Sequence, residues 1–320
     1  MTGEHPLISV VIPVYNSEKT LAACLDSLRR LSWSPVEIIM IDDGSSDASP
    51  EILKQYGDAI RVIRIPNAGP SRARNIGIRQ ARGEFVAFTD SDCIVHPDWL
   101  NELFRGFTDP RIAGVGGDQQ SPPDESPFGR LVHEFMKSIG FVADYVKTAH
   151  DMITTRHNPT CNVLYQKSAL IDAGGFDEGL WPGEDVDLDM KIIRQGHELR
   201  YNPAAVVYHY RPDTPVGFHR MMYRYGWAQA YLVRKYGPFR LIHYEPAILI
   251  ALISFLMALA LMSPLSALCL CIAGIAGTFG YFLFKTRSME KSAAFLSLFF
   301  SLLFQWNRGF IQGIFSWRKR

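Results

Sequence analysis

The chain has 320 residues, with 33 Lys plus Arg, 32 Asp plus Glu and a formal net charge of +1. At 48% hydrophobic and 20% charged residues it holds material for a sizeable core and too little net charge for a disordered chain. Five scattered cysteines without a CxxC pair support neither a disulfide framework nor a structural zinc site, and no concentrated basic patch marks a nucleic-acid partner.

Leu7–Val14 is a β-branched run of strand length, and Ser17 is placed to cap a helix whose Leu21, Leu25, Leu28 and Leu31 recur at helical spacing. Val36–Ile41 reads as a second buried strand, ended by the turn-rich run from Asp42 to Asp47. A short helix from about Pro50 leads to a strand at Ile60–Ile65. Asn67-Ala68-Gly69-Pro70 opens a loop, Ser71–Ala81 is a predicted helix, and Glu84–Thr89 a fourth strand. Strands alternating with helices imply right-handed crossovers and a mainly parallel sheet, whose ligands bind at the carboxyl ends of the strands. The loops around Asp42, Asn67 and Asp90 lie at such ends.

Two acidic clusters stand out. In Thr89-Asp90-Ser91-Asp92 a continued strand points Asp90 and Asp92 to one side, a pairing that suits a hard divalent cation such as Mg²⁺ or Mn²⁺. The alternative is a turn with a helix cap at Asp92 or Asp98. The second cluster, Gly183 to Asp189, opens a helix with an apolar face of Val186, Met190 and Ile193. Asp187 and Asp189 read as partners of the helix dipole. Glu184 and Asp185 sit at the mouth, where a carboxylate can take a proton from a substrate hydroxyl.

The far end changes character. Pro246 to Phe284 contains no Asp, Glu, Lys, Arg or His, and the runs Pro246–Met262 and Leu265–Phe284 are each of spanning length, about 17–25 residues. Ala293–Phe315 carries Gln305, Asn307, Arg308 and Gln312 within an apolar run, with Trp306 inside it and Trp317 beyond. It reads as an interfacial helix, with a third span as the alternative. Residues 246–320 hold seven basic and one acidic side chain, against a net charge of −5 for 1–245. Lys285, Arg287 and Lys291 follow the hairpin, and Arg318-Lys319-Arg320 closes the chain. With the third stretch lying flat, both groups and the globular part share the cytoplasmic side. Between the parts, Val216–Tyr236 mixes arginines with Tyr223, Tyr225, Trp227, Tyr231 and Tyr236, the composition of a membrane-surface helix or of a plain amphipathic one. Met1–Pro6 has no basic residue and Leu7–Val14 is short for an apolar signal core, so no signal peptide is expected.

VVIPVYN (10–16), IDDGSSD (41–47), NAGPSRARNIG (67–77), TDSD (89–92), GGFDE (174–178), GEDVDLDMKIIRQG (183–196) and PAAVVYH (203–209) follow in order. With these motifs, over about residues 7–210, the chain resembles the family 2 glycosyltransferases of GT-A fold. The resemblance implies an α/β Rossmann-like domain at 1–212, while composition and apolar runs mark a membrane-surface region at 213–244 and a membrane region at 245–320. The resemblance also implies a nucleotide-diphospho-sugar donor, Mn²⁺ or Mg²⁺, and inversion at the anomeric carbon. Carried over by position, Pro13 and Tyr15 line the base pocket and Asp42 accepts from the base, most often uracil. Arg72 or Arg74 lies near the base or phosphates, Arg74 being equally readable as a helix-surface charge. Asp90, with Ser91 beside it, approaches the ribose or metal, and Asp92 ligates the metal. Asp185 is the general base, with Glu184 beside it. His209 is a further metal ligand or a packed histidine. Asn162, Trp181 and the loop of Gly175, Phe176 and Asp177 shape the acceptor side, Trp181 as a flat surface for a sugar ring or as a loop anchor.

The QxxRW element of the family's processive synthases is absent from Thr214–Tyr236, which points to transfer of one or few sugars. The resulting expectation is a transferase in the inner (cytoplasmic) membrane, acting on a hydroxyl of a membrane-associated glycan or glycolipid. The competing readings are a polyprenyl-phosphate glycosyltransferase, whose acceptor needs no strong base, and a silent nucleotide-sugar-binding subunit.

Overall fold

The computed structural model describes residues 5–140 and 151–315. The chain divides into two compact units, Met1–Arg211 and Pro212–Arg320.

In the first unit, β1 (Ile8–Val14) and α1 (Leu21–Leu28) precede β2 (Val36–Asp42), α2 (Ser49–Lys54), β3 (Arg61–Arg64), α3 (Pro70–Gln80) and β4 (Phe85–Phe88). Then come β5 (Cys93–Val95), α4 (Trp99–Phe104), β6 (Ile112–Gln120), α5 (Pro127–Ser138), β7 (Ile153–Thr155) and β8 (Val163–Gln166). The unit closes with α6 (Lys167–Asp172), α7 (Glu184–Arg194) and β9 (Glu198–His209). The strands form one sheet in the order β3-β2-β1-β4-β8-β6-β9-β5, with β7 also on β9. The half from β3 to β4 is parallel as expected. The other half is mixed: β8 runs antiparallel to β4 and β6, β6 parallel to β9, and β5 and β7 antiparallel to β9. The sheet is thus mixed, its parallel half the expected one and its other half closed by antiparallel pairs on β4, β6 and β9, with helices flanking both.

Strand alternation divides the core. Ile8, Val10, Ile12 and Val14 of β1 face Leu21, Leu25 and Leu28 of α1 and Trp99, Leu100 and Leu103 of α4. Val11, with Ile39 and Ile41 of β2, faces Ala73 and Ile78 of α3 and Leu188 and Ile192 of α7. Each fully buried Leu or Ile here contributes about 1.5–3 kcal/mol. α3 lies close on β1 because residue 77 is glycine: a Cβ there would overlap the Val11 side chain. α1 ends at Leu28, one turn short of the helix expected to reach Leu31. Ser17 caps through its carbonyl, which accepts the Thr20 and Leu21 amides.

The second unit is helical: α8 (Pro215–Tyr236), α9 (Glu245–Met262), α10 (Pro264–Thr286) and α11 (Met289–Phe315). Among the described residues two helices are long and apolar enough to cross a membrane, Leu241–Met262 with mean hydropathy 2.2 and Pro264–Thr286 with 2.0. Their apolar side chains point outward: Ile248, Leu252, Phe255, Leu268 and Ile272 are all exposed. That is the pattern of a lipid-facing hairpin rather than of buried core helices. α11 packs along α8 through glycines: a Cβ at Gly226 would overlap the Trp306 carbonyl, and one at Gly309 the Tyr223 carbonyl. Two of the polar residues of α11 have protein partners. Asn307 donates to Glu245 at 3.1 Å, and Gln312 accepts from the Tyr223 hydroxyl at 2.5 Å. The basic group Arg318-Lys319-Arg320, Trp317 and residues 1–4 lie outside the described residues.

Candidate functional site

The parallel register sets Val14, Asp42 and Arg64 side by side at the carboxyl edge of β1, β2 and β3. Asp42 is buried. One of its oxygens accepts the Ser45 amide at 2.9 Å, and the other meets Arg64 at 3.4 Å. Asp42, expected to accept from the base, here holds a turn. Asp43 does the same for the next loop, accepting the Ala68 and Gly69 amides at 2.8 Å each. Tyr15 stands 52% exposed beside these loops, Pro13 is half-buried, and Arg72 points to solvent.

Arg74 is no surface charge. It is buried, and its guanidinium spans two acids, Asp90 Oδ1 and Glu184 Oε1, each at 2.7 Å. Its ring-face contact is Phe176, 5.7 Å to the centroid. Burial alone would weaken the cation, but Asp90 and then Glu184 raise its pKa further above the ordinary arginine value. Burial, then the neighbouring Asp185 carboxylate, pushes the Glu184 acid up to about 8 against the pull of Arg74. Glu184 was expected at the mouth beside Asp185. Its side chain is 5% exposed and held by Arg74, so it acts as an anchor and has no reach to an acceptor.

The strand-end pair is more open. The Asp90 and Asp92 side chains are 27% and 46% exposed. Ser91 is buried, with its hydroxyl 2.7 Å from that of Ser17 and its carbonyl accepting from Thr20 at 2.9 Å, which fixes the loop between the two acids. Asp92 Oδ1 lies 3.5 Å from His209 Nε2, whose Nδ1 faces Gln119 Oε1 at 3.2 Å. Burial opposes the imidazolium, yet Cys93 and Asp92 beside it raise the His209 pKa to about 9. Burial opposes the Asp92 carboxylate, but His209 and then Arg211 hold its pKa below the usual range. The donor set fits a divalent cation: a carboxylate and an imidazole converge at ligand-to-ligand spacing on a partly open wall, with Asp90 close in sequence.

Asp185 lies at the first turn of α7, buried but for one edge, with Oδ1 accepting the Val186 amide at 2.8 Å. Behind its Oδ2, at 3.8 Å, is His157 Nε2. His157 Nδ1 is held by Asp189 Oδ2 at 2.8 Å, and Asp189 also takes the Asn158 amide at 2.8 Å and the Tyr165 hydroxyl at 2.5 Å. Asp189, expected as a dipole partner, is thus a fully buried hub whose pKa burial raises, against the lowering pull of His157. Asp187 pairs with Lys191 at 2.9 Å.

Several acceptor-side expectations are corrected. Asn162 is fully buried, donating to the Asp118 and Ala205 carbonyls and accepting from the Trp99 indole at 2.7 Å; it joins three strands and α4. Phe176 is buried against Phe88, and the Gly175–Phe176 loop is pinned by Asn75, which bonds both the Phe176 amide and its carbonyl. Trp181 remains exposed at 46%. Asp43, His157, Tyr165 and Gln119 were not singled out from sequence, and Asp189 was read only as a dipole partner. The i, i+4 spacing of Asp185 and Asp189 on one helix face was the available signal.

Residues 9–174 match the family described as Glycosyl transferase family 2. The chain is 35% identical over 209 residues to a pre-mycofactocin glycosyltransferase of Mycobacterium tuberculosis, covering 64% of this chain and 43% of that protein. It is 30% identical over 233 residues to a poly-beta-1,6-N-acetyl-D-glucosamine synthase of Staphylococcus aureus, covering 69% and 54%. The chain therefore spans about half the length of these relatives. Its fold is similar to that of a mannosyltransferase from Pyrobaculum calidifontis solved with GDP-Man and Mn²⁺. The TM-score is 0.71 at 17% identity, over 98% of this chain and 89% of that one. With the matched segment covering more than half of the sequence and the sheet carrying the motifs at its strand ends, the chain belongs to glycosyl transferase family 2.

Proposed function

We propose that the chain transfers one or few sugars, with inversion, from a nucleotide-diphospho-sugar to a hydroxyl of a membrane-associated glycan or glycolipid. The observation that carries this reading is the buried Arg74 bridge. One guanidinium ties the Asp90 strand end to the Glu184 helix start, so the metal side and the base side of the cleft share one rigid support. Pro13, Tyr15 and Arg72 border the nucleotide, with Asp42 and Asp43 shaping its loops. Asp92 and His209 would hold the divalent ion, with Asp90 beside them. Bound there, Mn²⁺ or Mg²⁺ offsets charge on the leaving diphosphate. The imidazole favours Mn²⁺, the softer of the two. Asp185 takes the acceptor proton on Oδ2, the oxygen that the Val186 amide leaves open, while the His157–Asp189 pair fixes the carboxylate from behind. No covalent enzyme intermediate is required. Trp181 offers a sugar ring a flat surface. The exposed α9–α10 hairpin anchors the protein in the cytoplasmic membrane.

A second reading, a polyprenyl-phosphate acceptor, has support in the helical unit. A cavity of about 470 Å³ there is lined by Arg220, Arg308, His219, Gln305 and Gln312, chemistry suited to a lipid phosphate. Membranes bearing the protein are to be incubated with labelled UDP- and GDP-sugars, with chelator and with added Mn²⁺ or Mg²⁺. Metal-dependent transfer to lipid-extractable product supports the proposal. Full activity in excess chelator overturns the metal assignment, and near-normal single-turnover transfer by Asp185→Asn moves the phosphate acceptor to first place.

A further inference from the structure

Behind the Asp92–His209 pair lies a donor set that sugar transfer does not use. Cys93 opens β5 directly opposite His209 in the antiparallel register with β9. Cys161 precedes β8, and its carbonyl is fixed by the Thr89 hydroxyl at 3.0 Å. Both are free thiols, 1% and 4% exposed. The two sulfurs and a ring nitrogen of His209 lie within 4.8 Å of one another. Asp92 Oδ1 adds a fourth donor, 3.8 Å from Cys93 Sγ and 3.5 Å from His209 Nε2. Four donors from three segments of the chain thus converge on one point of the cleft wall.

The composition of that set matters more than its size. Two sulfurs with one imidazole and one carboxylate are a poor nest for Mg²⁺, which demands oxygen ligands. They match a tetrahedral Zn²⁺ shell, where Zn–S is about 2.3 Å and Zn–N about 2.0–2.1 Å, so that ligand atoms sit roughly 3.4–3.8 Å apart. The separations here, 3.5 Å and 3.8 Å from Asp92 and within 4.8 Å among the other donors, come into that range with side-chain rotations. Zn²⁺ also outranks Mn²⁺ in affinity for nitrogen and sulfur donors.

We propose that Cys93, Cys161, His209 and Asp92 form a site for a thiophilic divalent cation, Zn²⁺ first among them, which overlaps the hard-metal site and silences it. This rests on the reading of Asp92 and His209 as ligands of the productive ion. Capture converts both thiols to thiolates and takes His209 as the neutral ring, so the two thiol protons and the imidazolium proton leave to solvent. Asp92 and His209, committed to the inner cation, are then withdrawn from the diphosphate. Zn²⁺ is accordingly a competitor of Mn²⁺ and no substitute for it.

The test uses the full-length protein in detergent, titrated with Zn²⁺ and with Co²⁺ as a spectroscopic probe. One Co²⁺ per chain should bind with a thiolate-to-metal charge-transfer absorption in the near ultraviolet, and Zn²⁺ should abolish it by displacement. Cys93→Ala/Cys161→Ala should lose the absorption and weaken Zn²⁺ binding by at least about 100-fold, the upper end of what loss of mere outer-shell partners costs. The variant should keep Mn²⁺-dependent transfer while escaping inhibition by Zn²⁺. Cys93→Ser/Cys161→Ser, closer in volume, answers the same question if the alanine variant does not fold. Absence of the thiolate band in the wild type, or equal Zn²⁺ inhibition of wild type and variant, overturns the proposal. If Mn²⁺ supports no transfer in either protein, the transfer reading fails while the thiolate band still decides the inner site.

Discussion

The two acidic clusters of the first unit use the same residue types in opposite ways. At the end of β4, Asp90 and Asp92 are 27% and 46% exposed and Asp92 faces one histidine. At the start of α7, Glu184, Asp185, Asp187 and Asp189 are buried, and each carboxylate is claimed by a neighbouring group. An open carboxylate keeps lone pairs for a cation that arrives with substrate. A buried one must be paired to be tolerated, and the pairing fixes it in place. Asp185 is the intermediate case, its side chain 12% exposed, with one oxygen accepting the Val186 amide and the other 3.8 Å from His157 Nε2. The comparison therefore predicts which acids lose chemistry when changed and which lose stability.

The largest effect belongs to Asp185. Asp185→Asn should leave donor affinity within a few fold while single-turnover transfer falls by about 10²–10⁴, the range for general acid–base catalysis. Asp92→Asn should instead weaken metal-dependent donor binding, read by calorimetry with and without Mn²⁺. Equal behaviour of the two variants would erase the distinction between the clusters.

Arg74→Met attacks the link between them. It strands the Asp90 carboxylate and the Glu184 acid without their shared cation and should cost about 3–5 kcal/mol by chemical unfolding, as breaking buried pairs does. Adding Glu184→Gln should recover part of the loss, because the buried acid left without its partner is then replaced by an amide that never ionises. An unchanged unfolding midpoint in Arg74→Met would show that the bridge contributes nothing.

Asp189→Asn weakens the support behind Asp185. It leaves the His157 ring, the Asn158 amide and the Tyr165 hydroxyl with a poorer acceptor, a cost of about 1–3 kcal/mol. Its transfer rate should fall less than that of Asp185→Asn. A fall as large as that of Asp185→Asn would move Asp189 from support to chemistry.

The smallest effect is a pH slope. The Glu184 pKa is raised from 4.5 to about 8, so the folded state holds a proton that the unfolded chain has released. The stability it contributes is full below pH 4.5 and is lost as pH rises through about 8. Melting temperatures between pH 5 and 9 should decline in the wild type and flatten in Glu184→Gln.

Much of this was written in the linear order of residues. The β-branched runs and the helical spacing of leucines determined β1, β2, α1 and α3, since period 2 and period 3.6 are local properties of the chain. The charge-free stretch determined α9 and α10, and the motif order from VVIPVYN to PAAVVYH determined the family. Tertiary structure alone decided the rest. Arg74 and Arg72 are neighbours of one type on one helix, yet only the packing of α3 against α7 makes one a buried bridge and the other a solvated charge. Asn162 and Phe176 lie in motif-bearing stretches but were drawn into the core, because sheet closure by β6, β8 and β9 needs their hydrogen bonds and volume. The short strands β5, β7 and β8 carry too few residues to show a period, so the antiparallel pairings of the mixed half were invisible beforehand. Cys93, Cys161 and His209 lie far apart in the chain and meet only through antiparallel pairing of β5 on β9 and the loop before β8. Spacing along a chain records local geometry, whereas convergence of distant side chains depends on how the sheet closes.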